Sequence, residues 1–322
     1  MRFSVPILFV VFNRPETTAI VFNRIREIAP TRLYVAADGA RKNKAGEDTL
    51  CTSVRNLIAH GVDWECEVFT WYREVNMGCK KGVSSAINWF FENEEEGVIL
   101  EDDCLPDLTF FNFARAMLEK YRNDKDIIAI NGCNFGFHNK QASYFFSRYM
   151  NVWGWATWRR SAKAIQYEIP GWNQQKKISF LRSRLKKQLV DLDIHWYQYW
   201  ISIFDMISSG ALDSWAYFWI YHQFLYRKKN IISSINLVKN IGFGDNATHT
   251  KSVNHPAHDL VLGKLNFPLV HPENSFINKR YEEEALKPVC YIYKTKPNSF
   301  YVKNMLLKIP GVLSISKALK KK

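Results

Sequence analysis

The sequence predicts an α/β fold, a mostly parallel sheet flanked by helices, with a nucleotide-binding half followed by an aromatic-rich half. Three observations predict it. Short apolar runs at residues 7–12, 33–37 and 98–100 alternate with helix-length segments, the spacing of βαβ units. The runs are nearly uninterrupted by polar residues, as in strands buried on both faces. Each ends in a polar turn: Asn13-Arg14-Pro15, Asp38-Gly39 and Glu101-Asp102-Asp103. Open α/β sheets bind ligands at the carboxyl ends of their strands.

Taken in order, residues 7–12 read as the first strand, and Pro15 is pre-organised for the start of a helix over 16–29. Ile20, Phe22, Ile25 and Ile28 give that helix its apolar face. A strand at 33–37 precedes a helix at 48–60, which Asp48 is expected to cap. Residues 65–72 form a third strand, Asn76-Met77-Gly78 a turn, and 80–91 a helix with Val83, Ile87 and Phe90 inward. The strand after Gly97 runs directly into Glu101-Asp102-Asp103. Adjacent carboxylates repel, so without a cation at least one of them should hold its proton more tightly. A hard divalent ion, Mn²⁺ or Mg²⁺, removes the conflict and brings phosphate oxygens with it. The alternative is a solvated acidic turn. A helix from Pro106-Asp107 to about Tyr121 and a strand at 127–130 complete this half. No Gly-x-Gly-x-x-Gly or Walker A loop follows the first strand, so side chains and a metal must hold any nucleotide.

Beyond residue 132 the texture changes. Residues 144–226 carry Trp153, Trp155, Trp158, Trp172, Trp196, Trp200, Trp215 and Trp219. Core packing is the default for such residues, and a minority are expected to stack on a sugar ring. Residues 176–187 form a basic helix, read first as a solvated face and second as a phosphate or membrane contact. Asp213 is placed in the first turn of an aromatic helix. Residues 242–250 are a loop that includes His249 and a glycosylation-type triplet at Asn246. From about Lys294 the chain mixes Lys with apolar residues, a pattern suited to an anionic membrane. We therefore divide the chain into 1–132, a nucleotide-binding half; 133–260, an aromatic-rich half of the same globular domain; and 261–322, a basic amphipathic tail.

The composition bounds the partners. The 322 residues are 47% apolar and 15% aromatic, enough for a substantial core. The formal net charge of +13 favours an anionic partner. Six scattered cysteines match neither a zinc site nor a disulfide framework, so they read as free thiols in the cytoplasm. No segment approaches the roughly 20 apolar residues of a membrane span.

The ordered set Phe12-Asn13-Arg14-Pro15, Asp38-Gly39, Asn76-x-Gly78, Val98 to Asp103, Trp153 to Trp158, and Asn240 to Thr250 resembles glycosyltransferases of the A-type fold, in the broad family-2-like group of bacterial surface-polysaccharide enzymes. The acidic stretch is similar to the signature of the animal N-acetylglucosaminyltransferase that starts complex N-glycans. The resemblance covers about residues 5–255. It implies transfer from a nucleotide-diphosphate sugar, UDP-linked by family habit, to a saccharide or lipid-linked saccharide at the cytoplasmic face of the membrane, with inversion. It further makes 1–132 the nucleotide-sugar-binding half and 133–260 the acceptor and catalytic half, and implies that Asp103 ligates Mn²⁺ or Mg²⁺, with His249 as a further metal or phosphate ligand or else an ordinary surface histidine. Asp102, and with it Glu101, would meet the ribose or donor sugar. Asp38 would bind the base and Arg14 the base or phosphate region, with Asn13 and Asn76 beside them, and Lys80 or Lys81 would neutralise phosphate. Glu-Asp-Asp replaces the plainer Asp-x-Asp, which leaves open which carboxylate meets the metal.

An inverting transfer needs a base for the acceptor hydroxyl. Asp213 is the candidate, with a helix cap as its ordinary role and Asp205 as runner-up. Two other classes compete. A sugar-nucleotide pyrophosphorylase would want a glycine-rich, basic loop after the first strand, which Asn13 to Thr18 lacks. A nucleic-acid binder would interleave aromatics with basic residues, whereas residues 196–219 contain no Lys or Arg.

Overall fold

In a computed structural model, residues 2–139, 141–189, 194–243 and 255–290 are described. The chain enters the sheet at β1 (Ile7–Val11), turns into α1 (Pro15–Ile28), and returns as β2 (Arg32–Ala37). It continues through α2 (Glu47–Gly61), β3 (Glu67–Tyr72), α3 (Gly78–Asn93) and β4 (Glu96–Glu101). A short β5 (Cys104–Pro106), α4 (Leu108–Lys120) and β6 (Ile127–Asn131) follow. The aromatic half adds β7 (Tyr144–Ser147), β8 (Trp155–Trp158), a single turn α5 (Arg159–Ala162), α6 (Gln175–Leu189), α7 (Ile194–Ser208) and α8 (Ala216–Tyr226). β9 (Lys229–Ser233) and β10 (Val238–Asn240) close the strand set.

Eight strands form one sheet in the order β3-β2-β1-β4-β8-β6-β9-β7. β8 runs antiparallel to both β4 and β6, and β7 antiparallel to β9; the other pairings are parallel. The order β3-β2-β1-β4 is that of a doubly wound nucleotide-binding half. β1 and β2 lie inside this sheet, and Ile7, Leu8, Phe9, Leu33 and Val35 are fully buried. β3 is the edge strand, which explains why its sequence alternates only loosely and why Val68 and Phe69 stay exposed.

Two local expectations shift. α2 begins at Glu47, with Gly46 in the left-handed region before it, so Asp48 lies inside the first turn and caps nothing. β8 arises from the Trp block itself. Its alternating Trp155 and Trp158 point into the core rather than towards a substrate, and Trp172, Trp196, Trp200, Trp215 and Trp219 are buried as well. Trp153 alone among the eight named tryptophans is only partly buried.

Within the 261–322 segment, the described part up to residue 290 packs on the sheet. Tyr281 is fully buried against Phe137 and Phe145. Glu282, also fully buried, accepts hydrogen bonds from the backbone N–H and the guanidinium of Arg148 at the end of β7. Arg148 in turn donates to the carbonyl of Gln188 in α6. The basic tail beyond residue 290 lies outside the described residues. Among the described residues no helix is long and apolar enough to cross a membrane.

Removing one partner of a buried ion pair strands the other charge. Arg148→Met is therefore expected to lower stability by about 3–5 kcal/mol. The double change Arg148→Met with Glu282→Leu should recover most of that loss, which chemical denaturation of the two variants checks.

Candidate active site

The register of the parallel strands brings the predicted residues to one edge. Val10 of β1 pairs with Glu101 of β4, and Val11 pairs with Ala37 of β2. Residues 12–14, Asp38 and Asp102-Asp103 therefore leave the sheet side by side. The backbone N–H of Asp102 donates to the carbonyl of Val10 at 3.0 Å. Its carboxylate accepts from the N–H of Phe12 at 3.2 Å and from the guanidinium of Arg14. The same Nη2 of Arg14 lies 3.0 Å from Asp103 Oδ2. Arg14 thus clamps the two aspartates.

The antiparallel ribbon of β5 and β10 closes one side. The N–H of Ile241 donates to the carbonyl of Asp103 at 2.8 Å, which lays Gly242 across the cluster. A Cβ at Gly242 would meet Arg14 Nη1 and Asp103 Oδ2 at 2.5 Å, so the close approach needs glycine. Trp153 stands at the same edge, in ring contact with Phe135, Phe243 and His255.

Charge in this corner is crowded. Burial pushes the Glu101 carboxyl up to about 8, with Asp103 and Asp102 adding to the shift and Arg14 opposing it. Burial also raises Asp102, but Arg14 limits the rise to about 6. For Arg14, burial disfavours the charge, and the two aspartates more than offset that. The Glu101 side chain makes no hydrogen bond or ion pair with the described residues. Burial pushes the neighbouring Cys79 thiol up to about 12, helped by Glu101, Asp213 and Asp103, which excludes a resting thiolate nucleophile.

Two carboxylates converge on the N-terminus of α3, which has no cap of its own. Asp38 accepts from the N–H groups of Met77, at 3.0 and 2.9 Å, and Gly78, at 3.2 Å. Burial nevertheless raises its pKa. Asp213 accepts from the N–H groups of Cys79, at 3.0 Å, and Lys80, at 3.1 Å. Asp213 therefore precedes α8 rather than opening it and caps a different helix, 133 residues away in sequence. Gly78 has φ +77°, and a Cβ there would come 2.9 Å from Asp213 Oδ2. These four N–H groups, which could otherwise hold a phosphate, are already occupied.

The remaining predicted residues serve partly as scaffold. The Asn13 amide donates to Glu47 at 2.9 Å, and Glu47 also pairs with Arg41. The Asn76 amide donates to the carbonyl of Gly39 at 2.8 Å. Lys80 places its ammonium 4.5 Å from the Phe218 ring centre, while Lys81 is exposed. Asp205 sits in the helical layer, accepting from Trp172 Nε1 at 2.9 Å and Arg182 at 3.1 Å. His249 and the triplet at Asn246 lie outside the described residues. Gly242 reads in the sequence only as part of a loop, not as a site residue, and Arg55 escapes the sequence reading. Arg55 donates to the carbonyls of Asp38 and Arg73 at 3.1 and 2.7 Å, and nothing local in the sequence marks it.

Among the described residues, no three His, Cys, Asp or Glu side chains are grouped to hold a metal ion. One or two carboxylates with the other positions left to phosphate oxygens is, however, the manner in which Mg²⁺ is bound at nucleotide sites, and this donor set fits such a shared ion.

Glu101 carries a pH signature. The ordinary carboxyl value is 4.5, and the folded value is about 8. Between those values the unfolded chain has released the proton and the folded chain retains it, so stability falls as pH rises through the window. Glu101→Gln is expected to raise Tm at pH 8 by about 3 °C or more and to change it little at pH 4.5. Thermal scans at the two pH values check this.

No protein-family model matches the chain, and no curated protein matches it. Solved structures that resemble it include mouse xyloside xylosyltransferase 1 in its apo form, at 8% identity over 70% of this chain and 82% of that chain, TM-score 0.34. A UDP-glucose pyrophosphorylase complexed with UDP-glucose matches at 9% identity over 73% of this chain and 93% of that one, TM-score 0.34. A UTP-bound enzyme of the same kind from Acinetobacter baumannii matches at 8% identity over 95% of this chain and 99% of that one, TM-score 0.35. The matches thus include both a glycosyltransferase and sugar-nucleotide pyrophosphorylases.

Proposed function

We propose that this protein is a glycosyltransferase that moves a sugar from a nucleotide-diphosphate sugar, UDP-linked in our reading, to a hydroxyl of a glycan or lipid-linked saccharide, with inversion. The observation that carries the reading is the convergence of Arg14, Asp38 and Glu101-Asp102-Asp103 at the carboxyl edge of β1, β2 and β4. That edge is the crevice where open α/β sheets take nucleotides. Mn²⁺ or Mg²⁺ bound beside Asp103 would neutralise charge on the departing nucleoside diphosphate as a Lewis acid.

The protein's own residues have separable tasks in this reading. Arg14 holds Asp102 and Asp103 in place and is the cation nearest the donor. Asp38, fixed by the start of α3, faces the base or ribose. Asp213 takes the proton of the acceptor hydroxyl. Its carboxylate is oriented by the N–H groups of Cys79 and Lys80 and keeps further lone pairs for the hydroxyl. A pyrophosphorylase would need a loop after β1 to cradle a triphosphate. Only Phe12, Asn13 and Arg14 separate β1 from α1, none is glycine, and Arg14 is committed to the aspartates.

Incubation with UDP-, GDP- and CMP-sugars in Mn²⁺ tests the class. Release of the free nucleotide leaving group, without formation of a nucleoside triphosphate when pyrophosphate is added, is expected. Triphosphate formation would move the protein to the nucleotidyltransferases. In the transfer assay, Asp213→Asn is expected to lower kcat by about 100-fold or more while leaving the Kd for UDP nearly unchanged. Equal losses in both would make Asp213 a cap alone.

A further inference from the structure

We propose that the outer face of α6 docks the protein on an anionic phospholipid bilayer. The inference stands apart from the sugar-transfer reading and needs none of the candidate site residues.

The inner face of α6 is accounted for. Leu185 and Leu189 are buried, Ile178 and Leu181 pack on the same core, and Arg182 pairs with Asp205 of α7. The outer face is different. Lys177, Phe180, Arg184 and Lys187 recur at spacings of three and four, which aligns them as one stripe along the helix. All four are exposed, and Phe180 is 63% exposed, among the most exposed large apolar residues described. The Arg184 guanidinium lies 5.9 Å from the Phe180 ring centre. Lys186 adds a further exposed cation, and the helix contains no Asp or Glu. Beyond its end, Ile194 at the start of α7 is again 45% exposed.

A solvated helix face ordinarily mixes both charge signs and hides its aromatics. An exposed aromatic set among cations of a single sign matches an interfacial helix. Its basic side chains meet lipid phosphates while the apolar residue enters the acyl boundary. The charge complements an anionic surface, in a chain of net charge +13. A nucleic acid would use the cations but would leave Phe180 without a role unless bases were unstacked on it.

Vesicle co-sedimentation of the full chain tests the proposal. Binding to phosphatidylcholine vesicles containing phosphatidylglycerol is expected, with little binding to phosphatidylcholine alone and weakening as salt rises. The triple change Lys177→Gln, Arg184→Gln and Lys187→Gln should weaken partitioning by about tenfold or more. Phe180→Ser should weaken it severalfold without altering its salt dependence. All four positions are exposed, so an unchanged Tm confirms the fold of each variant. Three results would each overturn the proposal: absence of vesicle binding, binding unaffected by the α6 changes (which would assign it to another part of the chain), or a single-stranded oligonucleotide bound in preference to vesicles.

Discussion

Three carboxylates end a buried strand, and one guanidinium holds two of them. The architecture around the candidate site follows from that arrangement. Burying Glu101, Asp102 and Asp103 together is unfavourable unless positive charge is brought to them. Arg14 supplies it to the aspartates from the turn after β1, because β1 and β4 are parallel neighbours whose carboxyl ends coincide. Gly242 allows the β10 segment to close over the clamp. Glu101 is left uncompensated, and its raised pKa records the cost. In our proposal a divalent cation beside Asp103 answers the aspartate charge that Arg14 alone does not neutralise.

The second organising feature is the start of α3. Helices begin with unsatisfied N–H groups, and here no residue of the turn supplies a side-chain cap. Asp38 comes from the end of β2 and Asp213 from the segment before α8, so one helix end joins the first half of the chain to the aromatic half. A change at Asp213 is thus felt at α3. That is why separating proton transfer from positioning requires a readout of binding as well as turnover.

Most of the first half was legible in the sequence. Apolar runs bounded by turns, such as residues 7–12 and 33–37, fix buried parallel strands, because only both-sided burial favours such runs. The acidic cluster was legible for the same reason, since a carboxylate triplet after a buried strand has few places to go. The second half was less so. Trp155 and Trp158 belong to a strand inserted antiparallel between β4 and β6, a non-local pairing that no local pattern announces. Asp213 reads locally as a helix start, yet its partners lie more than 130 residues away. Asn13 and Asn76 carry the polarity expected of ligand contacts, but their amides bind Glu47 and the Gly39 carbonyl.

The central claim is that the Arg14–Asp102–Asp103 corner is a nucleotide-diphosphate site completed by a divalent ion. Calorimetric titration of the protein with UDP, with and without Mn²⁺, alongside Asp103→Ala, tests it most directly. The account predicts UDP binding that requires Mn²⁺ and is abolished by the substitution. Metal-independent binding that Asp103→Ala leaves intact, or no binding of UDP, GDP or CMP under any metal condition, would contradict it and return the acidic cluster to a structural turn.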